Sequence, residues 1–423
     1  MFRYLSSIFV LISAIVSSFS SGNGEMLVPM DDEQTDHLKA YGLAYWAVKP
    51  EQGMTVKWLL NYRGGSFLFP DDPRVVSHAN IMGVAYESVS AGKTAQIEDE
   101  IAHNNMDIVL LEKAPRIAVY SPSTAQPWDD AVVLALTYAE IDFTTIWDAE
   151  VLSGVLEKFD WLHLHHEDFT GQLGKFYAVY RNAPWYLTMQ ETNQKMAQRF
   201  GFATIPELKN NVASVIRSYV DKGGFLFAMC AATDTLDISL AALDIDIVPP
   251  EIDGTPIELN YQKKLNFGNC LAFENFSLVT RPEIYEYSDI DVSQENYKNA
   301  HLKEDFVLFE FAAKYDPIPA MLTQCHRRLI KGFLGQTTCF DKTKIKKNVV
   351  IMGEVKGENK AKYIHGTVGK GTFSFYGGHD PEDYAHEVGE APTNLIFFKN
   401  SPGYRLILNN VLFPAAKKEK RKT

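Results

Sequence analysis

Three groups of residues have types and spacing suited to chemistry. The first closes the segment Gly223-Gly224-Phe225-Leu226-Phe227-Ala228-Met229-Cys230-Ala231-Ala232-Thr233-Asp234. An apolar strand running into a cysteine between small residues is the pattern of a nucleophile elbow, whose nucleophile occupies a strained backbone position at the strand's end. A helix beginning just beyond would place its positive end near the thiol and favour the thiolate. The plainer reading makes Cys230 a small buried hydrophobe. The second group follows a glycine turn and strand opening at Gly369-Lys370-Gly371, where Gly377-Gly378-His379-Asp380-Pro381-Glu382 sets a histidine beside carboxylates. A general base oriented by an acid needs such adjacency. Equally, Asp380 could cap a helix with Pro381 in its first turn. The third group is His163, His165, His166, Glu167 and Asp168 at the end of the strand Asp160–Leu164. His163 and His165 share one face of that strand, and with His379 they could hold a divalent metal. The alternative packs His163 in the strand and leaves the rest as a solvated loop.

The elements that must position these groups alternate between strand and helix. Glu25–Met30, Met54–Leu60 and Gly83–Val89 read as strands, and Gln34–Val48, Arg74–Ile81 and Thr94–Asn104 as helices. A second start runs through the strand Arg116–Tyr120, the helix Trp128–Glu140 and the strand Phe143–Trp147. A helix over Pro206–Asp221, stopped by Gly223-Gly224, then leads into the strand Phe225–Met229. Such alternation predicts βαβ units around a parallel sheet, with ligands at the carboxyl ends of its strands. Trp128 and Asp129 open a helix at that edge, and with His165 and His166 they are the candidate substrate-binding residues. The aromatic stretch His165–Tyr186 reads as a functional loop, and its part Phe176–Tyr186 could stack on sugars. From Pro249 to Gly353 the pattern shifts to short β-like segments such as Phe306–Phe311 and Ala320–Gln324.

Composition narrows the classes. With 41 Lys+Arg against 53 Asp+Glu the net charge is −12, a field unsuited to nucleic acid or anionic membranes. Hydrophobic residues reach 46% with 26 Phe and 20 Tyr, which excludes wholesale disorder and predicts a large core. Arg3, the apolar run Ile8–Val16 and the small residues Ser17–Gly22 fit a secretory signal peptide, too short for a membrane span. A periplasmic or secreted protein with no integral membrane segment after cleavage is the expectation. The four cysteines form no disulfide framework and no zinc-site spacing, although Cys325 and Cys339 are the closest pair to oxidise. Gly366–Thr372 lacks P-loop spacing, and no cofactor is called for.

The Cys230 elbow, the parallel strand order and the late His379 resemble the class I glutamine amidotransferase-like superfamily. Gly369-Lys370-Gly371, the Gly378-His379-Asp380-Pro381-Glu382 turn and the closing helix within Tyr404–Ala416 resemble its ThuA-like branch. The resemblance implies a flavodoxin-like parallel sheet. The family's small-residue frame around the nucleophile is Ala228 and Ala232 here, and its histidine and glutamate are one residue farther apart. Over its length the chain also resembles exported bacterial proteins labelled asparagine synthetase B. That chemistry fits poorly, for the sequence has neither an N-terminal nucleophilic cysteine nor an S-G-G-x-D-S loop.

The expected organisation is a signal peptide over 1–22, an N-terminal α/β unit over 23–113, an amidotransferase-like domain over 114–416 and a basic tail over 417–423. A β-rich insertion at about 249–350 interrupts the large domain. The leading functional expectation is hydrolysis of an amide or related C–N bond of a small molecule. Cys230 would attack, His379 would protonate the leaving group under the orientation of Glu382 or Asp380, and backbone amides near Cys230 and after His165 would hold the oxyanion. A metal-assisted enzyme acting on carbohydrate through His163, His165 and His379 is the alternative, followed by a non-catalytic carbohydrate- or protein-binding module.

Overall fold

The computed structural model describes residues 24–124, 126–292, 305–384 and 387–417. The signal-peptide segment and the tail beyond Lys417 lie outside the described residues. Two sheets organise the chain. The first contains β1 (Glu25–Val28), β2 (Val56–Leu60), β3 (Ser66–Pro70), β4 (Glu87–Val89) and β5 (Asp107–Leu111) in the order β4-β1-β3-β2-β5. Every pairing in it is antiparallel, which corrects the expected βαβ arrangement. The reason is local. Asn61, Arg63, Gly64 and Gly65 all take left-handed backbone, so the chain reverses tightly after β2 and pairs back as β3, a strand hidden in the sequence by its merger with the turn.

The second sheet contains β6 (Ile117–Tyr120), β7 (Thr144–Ile146), β8 (Trp161–Leu164), β9 (Phe225–Met229), β10 (Phe306–Leu308), β11 (Leu329–Ile330), β12 (Phe340–Asp341), β13 (Val350–Glu354), β14 (Lys360–Val368) and β15 (Gly371–Tyr376). Its order is β11-β10-β13-β14-β15-β9-β8-β6-β7, with β12 paired to β14. The five strands from β15 to β7 run parallel, and the others antiparallel. The fold is therefore α/β with a mixed sheet. Between 249 and 350 the described chain carries only three short strands among turns. Ala320–Gln324, read as β-like, instead overlaps the helix Pro317–Leu322, started by two prolines in its first turn.

β9 is buried along its whole length, as a central parallel strand covered on both faces should be. Phe225, Phe227 and Met229 point into one core with the helices His37–Ala47 and Pro402–Leu412, while Leu226 and Ala228 face the other with Ile205–Asp221 and Ala232–Ala241. Register aligns the carboxyl ends of β6, β8, β9 and β15: Val119 pairs with His163, Leu164 with Ala228, and Met229 with Tyr376. The segments that follow these ends carry Trp128–Asp130, His165–Asp168, Cys230 and His379. All four cysteines are free thiols. No helix among the described residues is long and apolar enough to cross a membrane.

Candidate histidine site at the sheet edge

The site begins at Asp130, which caps the helix Ala131–Tyr138 by accepting the amides of Val132 and Val133 at 2.8 and 3.0 Å. The same Oδ1 lies 3.3 Å from His163 Nε2 and 3.1 Å from His165 Nδ1. Burial alone would raise the Asp130 carboxyl, but the pull of the two imidazoles and their hydrogen bonds hold it well below the usual range. His163 is committed inside the strand layer, its Nδ1 3.1 Å from the Phe227 carbonyl. Burial lowers its pKa against the pull of Asp130.

His165, His166 and His379 converge. Each offers one ring nitrogen such that the three atoms lie within 4.8 Å of one another. His165 is 1% exposed, and its Nε2 is buried without a hydrogen-bond partner. His165 stacks on His166 with centroids 4.1 Å apart, and His379 sits 5.0 and 4.8 Å from the two rings. The Nε2 atoms of His166 and His379 both meet the Asp129 carbonyl, the latter at 3.1 Å, and the Asp129 carboxylate is 3.6 Å from His379. Burial drives His166 well below the ordinary histidine range, reinforced by its two histidine neighbours, and burial lowers His379 too. Neutral imidazoles beside an unpartnered buried nitrogen form a donor set that fits a borderline divalent cation. A second group, Asp130, His163 and His165, shares His165 with the first. His163, expected among the ligands, thus belongs to the Asp130 side, and His166 takes its place beside His379.

His165 and His166 line a cleft that is partly open to solvent. Its lining is partly aromatic, with Trp128 5.3 Å from Phe176. The lining also includes Glu167 and Lys209. Lys209 is 2% exposed and bonds Asp148 at 3.0 Å and Glu167 at 3.3 Å. Asn193, also buried, faces the cleft with an unpartnered Oδ1. Lys209 and Asn193 were not among the sequence candidates. Asp130 had a signal in its place beside Trp128-Asp129, whereas Lys209 and Asn193 sit on helices whose pattern marks only their apolar faces.

The elbow is present, with Cys230 at φ 49° ahead of the helix Ala232–Ala241. Yet Cys230 is 2% exposed, and its Sγ accepts the Gln336 amide at 3.3 Å. Burial pushes the thiol up to about 11. Two amides of the elbow are already engaged: Cys230 N–H donates to the Gly378 carbonyl at 3.0 Å, and Ala232 N–H to the His165 carbonyl at 3.0 Å; the Ala231 amide is directed at the thiol itself. Asp380 acts on His379 through its charge, while the hydrogen bonds of Glu382 and Asp380 go elsewhere. Glu382 accepts from the Tyr384 hydroxyl at 3.0 Å, and Asp380 accepts from the Tyr404 hydroxyl at 2.7 Å and the Glu382 amide at 2.8 Å. The latter contact closes a turn where a capped helix was the alternative, and the acid at His379 Nε2 is Asp129. Gly378, at φ 98°, admits no Cβ, which would meet Phe333 at 2.5 Å.

No protein-family model matches the chain, and no curated protein matches it in sequence. Among solved structures it is similar to the cytoplasmic protein STM3548 from Salmonella typhimurium, at 10% identity and TM-score 0.34 over 72% of this chain and 100% of that one. The cytoplasmic protein STM1381 from Salmonella typhimurium LT2 matches at 13% identity and TM-score 0.33, over 71% and 99%. The GH42 β-galactosidase Gan42B matches at 8% and 0.27, over 64% of this chain and 29% of its own.

Proposed function

We propose that the chain is a metal-assisted hydrolase or isomerase acting on a carbohydrate in the histidine cleft. The observation that carries this reading is the convergence of His165, His166 and His379, two of which line the cleft, with an unpartnered buried nitrogen on His165. A divalent ion bound there would supply Lewis-acid polarisation and an activated water. Asp130, 3.1 Å from His165 Nδ1, would hold that ring by charge and leave Nε2 for the ion, and Asp129 would steady His166 and His379 through their Nε2 atoms, the usual task of outer-shell carboxylates and carbonyls. Trp128 and Phe176 offer flat apolar surface for a sugar ring, and Asn193 Oδ1 accepts a hydroxyl. The test is calorimetric titration of stripped protein with Zn²⁺. One equivalent binding to the wild type and none to His165→Ala/His379→Ala is expected; equal binding by both would overturn the assignment.

Amide hydrolysis at Cys230 remains a second reading because the left-handed backbone at that residue is the strained geometry of a nucleophile elbow. Against it stand the buried thiol and the engaged amides.

A further inference from the structure

His165 has two ring nitrogens, and the second of them meets a different set of donors. Its Nδ1 lies 3.1 Å from Asp130 Oδ1, and His163 Nε2 lies 3.3 Å from the same oxygen. The three residues offer ligand atoms within 4.8 Å of one another. His163 is 0% exposed and His165 1%, and among the described residues neither of these nitrogens has a hydrogen-bond partner of good geometry. The contacts are short without lining up. Donors stand this way when they converge on a point between them and not on each other.

The surroundings of each donor sharpen the point. A carbonyl only accepts, so His163 Nδ1, 3.1 Å from the Phe227 carbonyl, is the nitrogen that carries the proton. The Nε2 of the neutral ring then presents a lone pair, and what it faces is a carboxylate oxygen. Two acceptors at that distance repel unless positive charge lies between them. A ring whose far N–H is fastened to a main-chain carbonyl is the usual form of a metal-ligating histidine, and ligating carboxylates are themselves hydrogen-bonded. Asp130 meets the second condition through the amides of Val132 and Val133. The spacing fits as well, because two ligands at 2.0–2.1 Å from a tetrahedral zinc stand about 3.3 Å apart.

We propose that Asp130, His163 and His165 form a second, inner position for a divalent cation, sharing His165 with the triad. One carboxylate with two imidazoles suits a borderline ion such as zinc. A neutral imidazole offers one acceptor nitrogen at a time, so the chain holds one ion, on the Nε2 side of His165 or on its Nδ1 side. With the ion at the triad, Nδ1 keeps the proton; with the ion inside, Nε2 keeps it. Passage between the positions breaks one N–H bond of the ring and makes the other, with no net uptake of protons. The inner position needs the shared ring but not the triad.

The test is calorimetric titration of the stripped full chain with Zn²⁺ in three variants. His379→Ala, which breaks the triad and leaves the inner donors intact, is expected still to bind one equivalent. Adding His163→Gln to it should weaken binding by about 100-fold or more, since losing a ligand exceeds losing an outer-shell partner. His163→Gln alone should bind as the wild type does, through the triad. No binding by His379→Ala, or undiminished binding by the double variant, would overturn the inner position. The same variants separate it from the triad. Binding lost in His379→Ala leaves the triad standing and refutes the inner position, whereas binding lost in His163→Gln alone leaves the inner position standing and refutes the triad. A wild type that takes no zinc refutes both. His166→Ala replaces His379→Ala if that variant does not melt cooperatively. If the double variant does not, the imidazole ¹⁵N spectrum of the zinc-loaded triad variant decides: zinc on His165 Nδ1 supports the inner position, and zinc on Nε2 overturns it.

Discussion

The histidine cleft and the Cys230 elbow stand at the ends of neighbouring strands, and their chemistry is arranged in opposite ways. At the cleft, imidazoles face solvent-reachable space with a buried nitrogen unpartnered. At the elbow the groups are turned inward: the buried thiol accepts an amide, and the amides of Cys230 and Ala232 donate to Gly378 and His165. Those last two bonds explain the difference. Through them the elbow clasps the loops that carry His379 and His165, so the strained turn at Cys230 positions the histidines. A strained residue at a strand end marks a functional edge without itself having to be the reacting group.

The largest expected effect lies in the support of the cleft. Lys209→Ala leaves Asp148, which is 0% exposed, without its cation, and breaking a buried pair in this way costs about 3–5 kcal/mol. Denaturant unfolding measures it, and a loss under 1 kcal/mol would show that the pair is not structural. Next, Asp130→Asn keeps the shape but removes the charge from His163 and His165. Metal affinity should fall by about 10–100-fold, the usual consequence of losing an outer-shell partner, while unchanged affinity would detach Asp130 from the site.

The elbow side carries its own pH signature. Burial raises the Asp234 carboxyl to about 7 and Asp237 to about 6, against an ordinary 3.8. A carboxyl raised in the folded state binds its proton more tightly there than in the unfolded chain. Its contribution is complete below pH about 4 and is lost as pH rises through its folded value. Asp234→Asn, which keeps an oxygen for the Thr337 hydroxyl now 2.9 Å from Asp234, should therefore raise the melting temperature relative to wild type more at pH 8 than at pH 5. An equal difference at both values would mean that the carboxyl is not held protonated. Smallest of all is the expected effect of Cys230→Ala on metal binding: a change within about twofold, since the clasp uses main-chain groups. Loss of binding in that variant would make the thiol part of the site.

Much of the larger sheet was legible in the sequence. β9 reads directly because five apolar residues lie between a Gly-Gly stop and a cysteine, and the Thr204-Ile205-Pro206 start of the preceding helix is a sequence-level cap. The convergence of His165 and His379 at one edge also follows from strand order. The antiparallel N-terminal sheet did not, because a turn through Asn61 and Arg63 in left-handed backbone gives no stronger signal than the adjacent glycines. Nor did the exchange of His163 for His166. Strand periodicity assigns faces only while the strand lasts, and β8 ends at Leu164, so the rings beyond it are oriented by Asp129 and Asp130 from another element. Pairing of Glu382 with Tyr384 instead of His379 is likewise set by a turn.

X-ray absorption at the zinc edge of the metal-loaded protein tests the central claim most directly. The account predicts nitrogen or oxygen scatterers at about 2.0–2.1 Å with the outer-shell pattern of imidazole rings, and no sulfur shell. A sulfur scatterer at about 2.3 Å would place a cysteine on the ion and contradict the division between an open histidine cleft and a closed elbow.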